Sequence, residues 1–186
     1  MRIHVLAVCT LVLAGCGRDL DNGFLGAVRG GDVAAVRRYV REGADLNMSA
    51  GVNGWTPLLH AIHTGQGGVV KELIAAGADV NFAPRGEYTP LLMAAGYGYE
   101  SMVRDLLTAG ANPRYRMKDG TSALDLAVVG VPDIDRFTIG SCQTGTVRAL
   151  LEAAPDVRFR PAGLDRIAYL LKRPGCRPVA ALLAQR

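Results

Sequence analysis

Gly43-Ala44-Asp45-Leu46-Asn47 returns as Gly77-Ala78-Asp79-Val80-Asn81 and again, shortened, as Gly110-Ala111-Asn112-Pro113. The interval is about 33 residues. A second phrase keeps the same beat: Gly54-Trp55-Thr56-Pro57-Leu58-Leu59, then Glu87-Tyr88-Thr89-Pro90-Leu91-Leu92, then Gly120-Thr121-Ser122-Ala123-Leu124. Two phrases locked to one period specify a repeat array. Each unit of such an array buries its apolar face only against its neighbours.

Between the phrases the apolar residues recur at helical spacing. Residues 24–47 form a first, incomplete unit with Phe24, Leu25, Ala27 and Val28 on one helix and Val33, Val36, Tyr39 and Val40 on the next. This unit lacks the Thr-Pro phrase, as a capping unit with one wet face does. Residues 48–81 and 82–113 are fuller. Thr56 and Thr89 suit the N-cap, and Pro57 and Pro90 suit the first helical position, where no N–H is needed. Gly43, Gly77 and Gly110 suit the left-handed position that ends a helix. Residues 114–159 form a modified unit with Ser122 as cap and an insertion over 130–144. Residues 160–186 read as a degenerate C-terminal cap, with Leu164, Ile167 and Leu171 on one helix and Val179, Leu182 and Leu183 on another.

These residues resemble ankyrin repeats: Gly-x-Thr-Pro-Leu-x-x-Ala-x-x-x-Gly, then a Val-Val-x-x-Leu-Leu stripe, then Gly-Ala-Asp-Val-Asn. The resemblance covers residues 24–159 and implies an all-α solenoid of about four to five helix–turn–helix repeats with β-turn fingers between them. The family's histidine after Thr-Pro-Leu is replaced by Leu59, Leu92 and Asp125. Since that histidine bonds between repeats, the replacement implies lower local rigidity.

The first residues carry a different signal. Arg2 precedes an apolar run from Ile3 to Leu13, about half the ~20 residues that span a bilayer. It reads as the core of a signal peptide over 1–15. Its end, Leu13-Ala14-Gly15-Cys16, resembles the lipobox of bacterial lipoproteins, which implies cleavage before Cys16 and acylation of that residue. Residues 16–23 would then tether the fold to lipid. Gly17 stands where an inner-membrane lipoprotein of enteric bacteria has aspartate, which favours the outer membrane, with the repeats facing the periplasm. Cys142 and Cys176 remain as thiols in an oxidising compartment. They precede the second helices of adjacent units, and a disulfide is the plain inference; two buried free thiols are the alternative. The bond would close a loop of about 34 residues, worth roughly 3–4 kcal/mol in the chain-entropy model.

No catalytic set stands out. His60 and His63 lack the glutamate and third ligand of a zinc site, and Asp133 and Asp135 lack further ligands for a divalent cation. No nucleophile elbow and no phosphate-binding glycine loop occur. The reading is a non-enzyme without cofactor or metal. Net charge is +4, and basic residues are scattered along helices without the run that marks nucleic-acid binding. His60 is expected to pack, and His63 to be exposed.

What remains is a protein-binding surface. By the resemblance, partners meet the finger tips and the exposed edges of the first helices. Those positions are Asn53, Trp55, Arg85, Tyr88, Lys118 and Asp119 on fingers, His63, Gly96 and Tyr97 at helix ends, and Tyr99 at the next turn. Trp, Tyr and Arg are frequent interface anchors; packing between neighbouring fingers is the competing role for Trp55 and Tyr88. The chain also resembles lipidated ankyrin immunity proteins of Gram-negative bacteria, which neutralise secreted phospholipase-type effectors. A scaffold or regulator of a resident periplasmic enzyme, such as an oxidative-stress enzyme, is the alternative.

Overall fold

The computed structural model describes residues 22–49, 53–130, 142–159 and 171–185. Helix α1 covers residues 22–30, followed by α2 (Val33–Arg41), α3 (Pro57–His63) and α4 (Gly67–Ala75). Then come α5 (Pro90–Tyr97), α6 (Glu100–Thr108), α7 (Ala123–Val129), α8 (Thr144–Ala153) and α9 (Arg177–Ala184). No strand forms among the described residues; Arg116 and Ser122 make an isolated antiparallel bridge. The fold is all-α, built of helix pairs as expected. No helix among the described residues is long and apolar enough to cross a membrane.

The chain divides into two compact units, Met1–Ala78 and Asp79–Arg186. In the first, α2 and α3 both pack on α4. In the second, the inner helices α5 and α7 stack on each other, and so do the outer helices α6 and α8. Leu58, Leu59, Ile62 and Leu73 are fully buried in the first unit, and Leu91, Leu92 and Leu106 in the second. Each such side chain contributes roughly 1.5–3 kcal/mol of transfer free energy.

The repeated phrases set where helices begin and end. The hydroxyls of Thr56, Thr89 and Ser122 accept from the backbone N–H of Leu59, Leu92 and Asp125. At the other end, Gly43, Gly77 and Gly110 take φ of 88°, 92° and 89°. Each glycine N–H reaches back to a last-turn carbonyl, and so does the next N–H, of Ala44, Ala78 or Ala111. This is the Schellman closure, which requires the left-handed residue. The following Asp or Asn then accepts from the backbone two residues on: Asp45 from Asn47, Asp79 from Asn81, Asn112 from Arg114. Asn81 further donates to the Gly110 carbonyl at 3.1 Å and accepts from the Asn112 N–H at 2.8 Å. The phrase thus ends one helix and fastens the next turn to it.

Glycine has a second use that the pattern did not reveal. Gly31 and Gly98 have positive φ, and a Cβ on either would collide with the amide side chain of Gln66 or Gln143 respectively. Each glutamine sits at the N-cap of the following repeat's outer helix, so its amide lies across the preceding turn.

Several expectations change. Residues 22 and 23 of the expected tether are helical, because Gly23 lies against the Tyr39 hydroxyl and Phe24 packs on the Tyr39 ring at 6.2 Å. Helix α8 starts at Thr144, inside the expected insertion, where the Gln143 carbonyl accepts from Val147 N–H at 2.8 Å. Residues 131–141, with Asp133 and Asp135, and residues 160–170, with Leu164 and Ile167, lie outside the described residues, as do residues 1–21 with Cys16.

Cys142 and Cys176 form a disulfide, with Cα atoms 5.2 Å apart. Both are buried. The bond joins the entry to α8 to the entry to α9, which packs on α8. The double variant Cys142→Ser, Cys176→Ser should lose about 2–4 kcal/mol of stability, read as a lower midpoint in equilibrium urea unfolding. An unchanged midpoint would mean that the staple contributes nothing.

Candidate functional site

In the first unit the sole tryptophan, Trp55, precedes the N-cap Thr56 and is half-buried. Its indole meets His63 edge-on with centroids 4.9 Å apart, and His60 likewise at 5.5 Å. His60 is 8 % exposed and lies 3.4 Å from Arg29 Nη2. One face of the indole is therefore committed to its own repeat. His63 is half-buried rather than exposed, because Trp55 covers it. Asn53 is exposed at the finger tip.

In the second unit the finger at Pro84–Gly86 presents Arg85 to solvent. Arg85 has φ 55°, a left-handed conformation that costs a non-glycine residue roughly 1–2 kcal/mol. Tyr88 is half-buried at the base of this finger. The next finger adjoins it, since a Cβ on Gly86 would lie 3.4 Å from Lys118 Cε. Lys118 and Asp119 are exposed there. Asp119 serves its own turn: it accepts from Thr121 N–H at 2.9 Å, and that backbone bond holds its carboxyl below the ordinary 3.8.

Tyr97 and Gly96 are not on the surface. Tyr97 is 7 % exposed, and every residue of α5 is buried, because α6 and α7 both pack against it. A helix apolar all round has no exposed edge to offer. Tyr99 is half-buried with its ring 5.7 Å from that of Tyr97. Asp125, at the family's histidine position, is 3 % exposed and accepts from both the Ser122 N–H, at 2.9 Å, and the Ser122 hydroxyl, at 2.6 Å. It closes a capping box and stands 3.5 Å from Arg116.

Beside the second finger lies a cavity of about 240 Å³ that sequence reasoning missed, lined by Pro113, Arg114, Arg116, Ser122, Asp156, Val157 and Arg158. The expectation that basic residues sit along helices fails here. Arg85, Arg114, Arg116, Lys118 and Arg158 are all outside the α-helices. Arg114 grips Asp156 with one edge of its guanidinium, Nε donating to Oδ2 at 2.9 Å and Nη2 to Oδ1 at 2.6 Å. Arg116 donates to the carbonyls of Gly120 at 2.7 Å and Arg158 at 3.2 Å. The alternation Arg114-x-Arg116-x-Lys118 was the available signal, since every second residue of an extended segment faces one side.

Among the described residues no three His, Cys, Asp or Glu side chains gather to hold a metal. What the geometry offers is a helical-repeat protein whose finger loops carry half-buried aromatic and exposed guanidinium groups. The family model for ankyrin repeats, in three copies, matches residues 24–117, and the chain belongs to that family. Ankyrin repeats are generally protein–protein interaction modules rather than catalysts. The chain is also similar to the 2-5A-dependent ribonuclease of Mus musculus, 39 % identical over 59 residues. That stretch is 32 % of this chain and 8 % of the ribonuclease, so the chain spans under a tenth of that relative.

The Arg114–Asp156 pair gives a pH prediction. The hydrogen bond from Arg114 holds Asp156 below its ordinary 3.8, so the pair's contribution is complete above that value and is lost as pH falls through the lowered one. The unfolding midpoints of wild type and Arg114→Gln should therefore differ at neutral pH and converge in strong acid. Being exposed, the pair contributes little, and the sign and convergence are the test. A gap that persists in acid would assign the effect to packing instead.

Proposed function

We propose that this chain is a lipid-anchored binding protein of the bacterial envelope that acts as an immunity protein, occluding a secreted phospholipase-type effector in the periplasm. The observation that carries the compartment is the Cys142–Cys176 disulfide, since such bonds persist in oxidising compartments and are rare in the cytosol. The Leu13-Ala14-Gly15-Cys16 stretch supports the anchor. An anchor at Cys16 places an inhibitor beside the lipid that such an effector attacks. Trp55 in the first unit and, separately, Tyr88 and Arg85 in the second are residue types that anchor interfaces.

Affinity capture from envelope extract, with mass spectrometry of what is retained, identifies the partner. A secreted hydrolase, inhibited on binding, is the expected result. A resident envelope enzyme retained instead would replace the immunity role with that of a scaffold or regulator. Trp55→Ala with Tyr88→Ala should weaken capture at least about tenfold, the scale of a hot-spot loss, with helical circular dichroism unchanged. Equal capture would move the contact away from these fingers. Cys16→Ser should shift the protein from the membrane to the soluble fraction; continued membrane association would refute the anchor.

A further inference from the structure

Arg158 is the least satisfied cation around the 240 Å³ cavity. Its Nη1 donates to the carbonyls of Pro155 and Asp156, both at 3.2 Å, and these fix the guanidinium plane. Among the described residues, no carboxylate lies within ion-pairing distance of it, and the residue is exposed. Arg114 is taken up by Asp156, and Arg116 stands 3.5 Å from the buried Asp125. Three guanidiniums thus share two carboxylates: Arg158 makes no direct ion pair among the described residues, although its charge reaches the Asp156 carboxylate that Arg114 holds. Among the described residues, Arg114 keeps Nη1, and Arg158 keeps Nε and Nη2, as donors with no hydrogen-bond acceptor. These donors are held by neighbouring bonds before any ligand arrives, which lowers the ordering cost of binding.

We infer that this cavity receives a carboxylate from an acidic segment of the partner protein, with Arg158 as the receiving fork. A guanidinium binds a carboxylate through two parallel N–H donors, and such charge-assisted pairs are about twice as strong as neutral ones. A protein carboxylate fits better than a polyanionic backbone. Asp119, Asp156 and Glu87 are interleaved with the basic residues of these loops, so a row of phosphates fixed along a backbone meets repulsion, whereas a flexible acidic segment can set one carboxylate on the fork and hold its other charges clear. The inference rests on the protein-binding reading, though not on the immunity role.

The test uses the purified full chain and a fluorescein-labelled hexaglutamate peptide, read by fluorescence anisotropy at low and high salt. Wild type should bind, more weakly as salt rises. Arg158→Gln should weaken binding about tenfold, the scale of one charge-assisted pair. Arg158→Lys should also weaken it, since a point charge lacks the fork. Equal affinity in wild type and Arg158→Gln would overturn the inference. So would tighter binding of oligothymidylate of the same charge, which would mark a general polyanion surface. Capture of the partner from envelope extract separates the two levels. If wild type and Arg158→Gln retain the partner equally, the carboxylate pocket fails and the protein-binding reading stands. If wild type retains none, that reading fails, while the peptide titration still decides the pocket.

Discussion

The turn after the outer helices α2, α4 and α6 is the constraint on which the structure depends. A helix leaves its last carbonyls without partners, and an uncapped end would have to stay in water. Gly43, Gly77 and Gly110 resolve this by turning left-handed, which lets two successive N–H groups fold back onto the helix. The same reversal buries the next alanine and places the following Asp or Asn where it can bond the chain ahead. Asn81 extends the device across a repeat, satisfying both the Gly110 carbonyl and the Asn112 N–H with one amide. A side chain with Cβ would resist the left-handed turn, and a side chain without an amide would leave the next turn loose.

Around those turns, polar links between repeats differ in kind from the apolar stack they cover. Arg37 bonds Glu72 in the first unit, and Arg104 bonds both Glu100 and Glu152 in the second. All are on the wet outer helices, where an ion pair adds at most about 1 kcal/mol. Gln66 over Gly31 and Gln143 over Gly98 add shape, the amide filling the space a Cβ would take, and Gln66 also donates to the Arg29 carbonyl at 3.5 Å. Stability therefore rests mainly on the leucine and alanine contacts between inner helices.

What was legible in the chain was what local chemistry dictates. Thr-Pro marks a helix start because the hydroxyl caps and the imino acid needs no donor, and both facts hold before any tertiary contact forms. The cysteine pairing followed from the matching places of Cys142 and Cys176 in two repeats, together with the expectation of an oxidising compartment. Tyr97 was misread because its sequence position is a helix end, whereas its burial depends on α6 and α7 closing over α5. His63 was misread for a similar reason: its cover is Trp55, from outside the helix. The arginine cavity was invisible because Asp156 and Arg158 reach it from 42 residues beyond Arg114 and Arg116. Nothing in the repeat phrase specifies that meeting; only the alternation of Arg114, Arg116 and Lys118 hinted at a shared side.

The disulfide has a consequence for how the molecule comes apart. A linear stack exchanges its amide protons fastest at its ends, where a helix has one neighbour and detaches alone. Helix α9 is the last described helix and packs on α8. The bond between Cys142 and Cys176 keeps the start of α9 beside the start of α8 even when their side chains separate. Detachment of α9 then yields a short-lived, tethered opening that recloses quickly, rather than a free tail. Helix α9 consequently spends less time apart from α8 than an unstapled helix would.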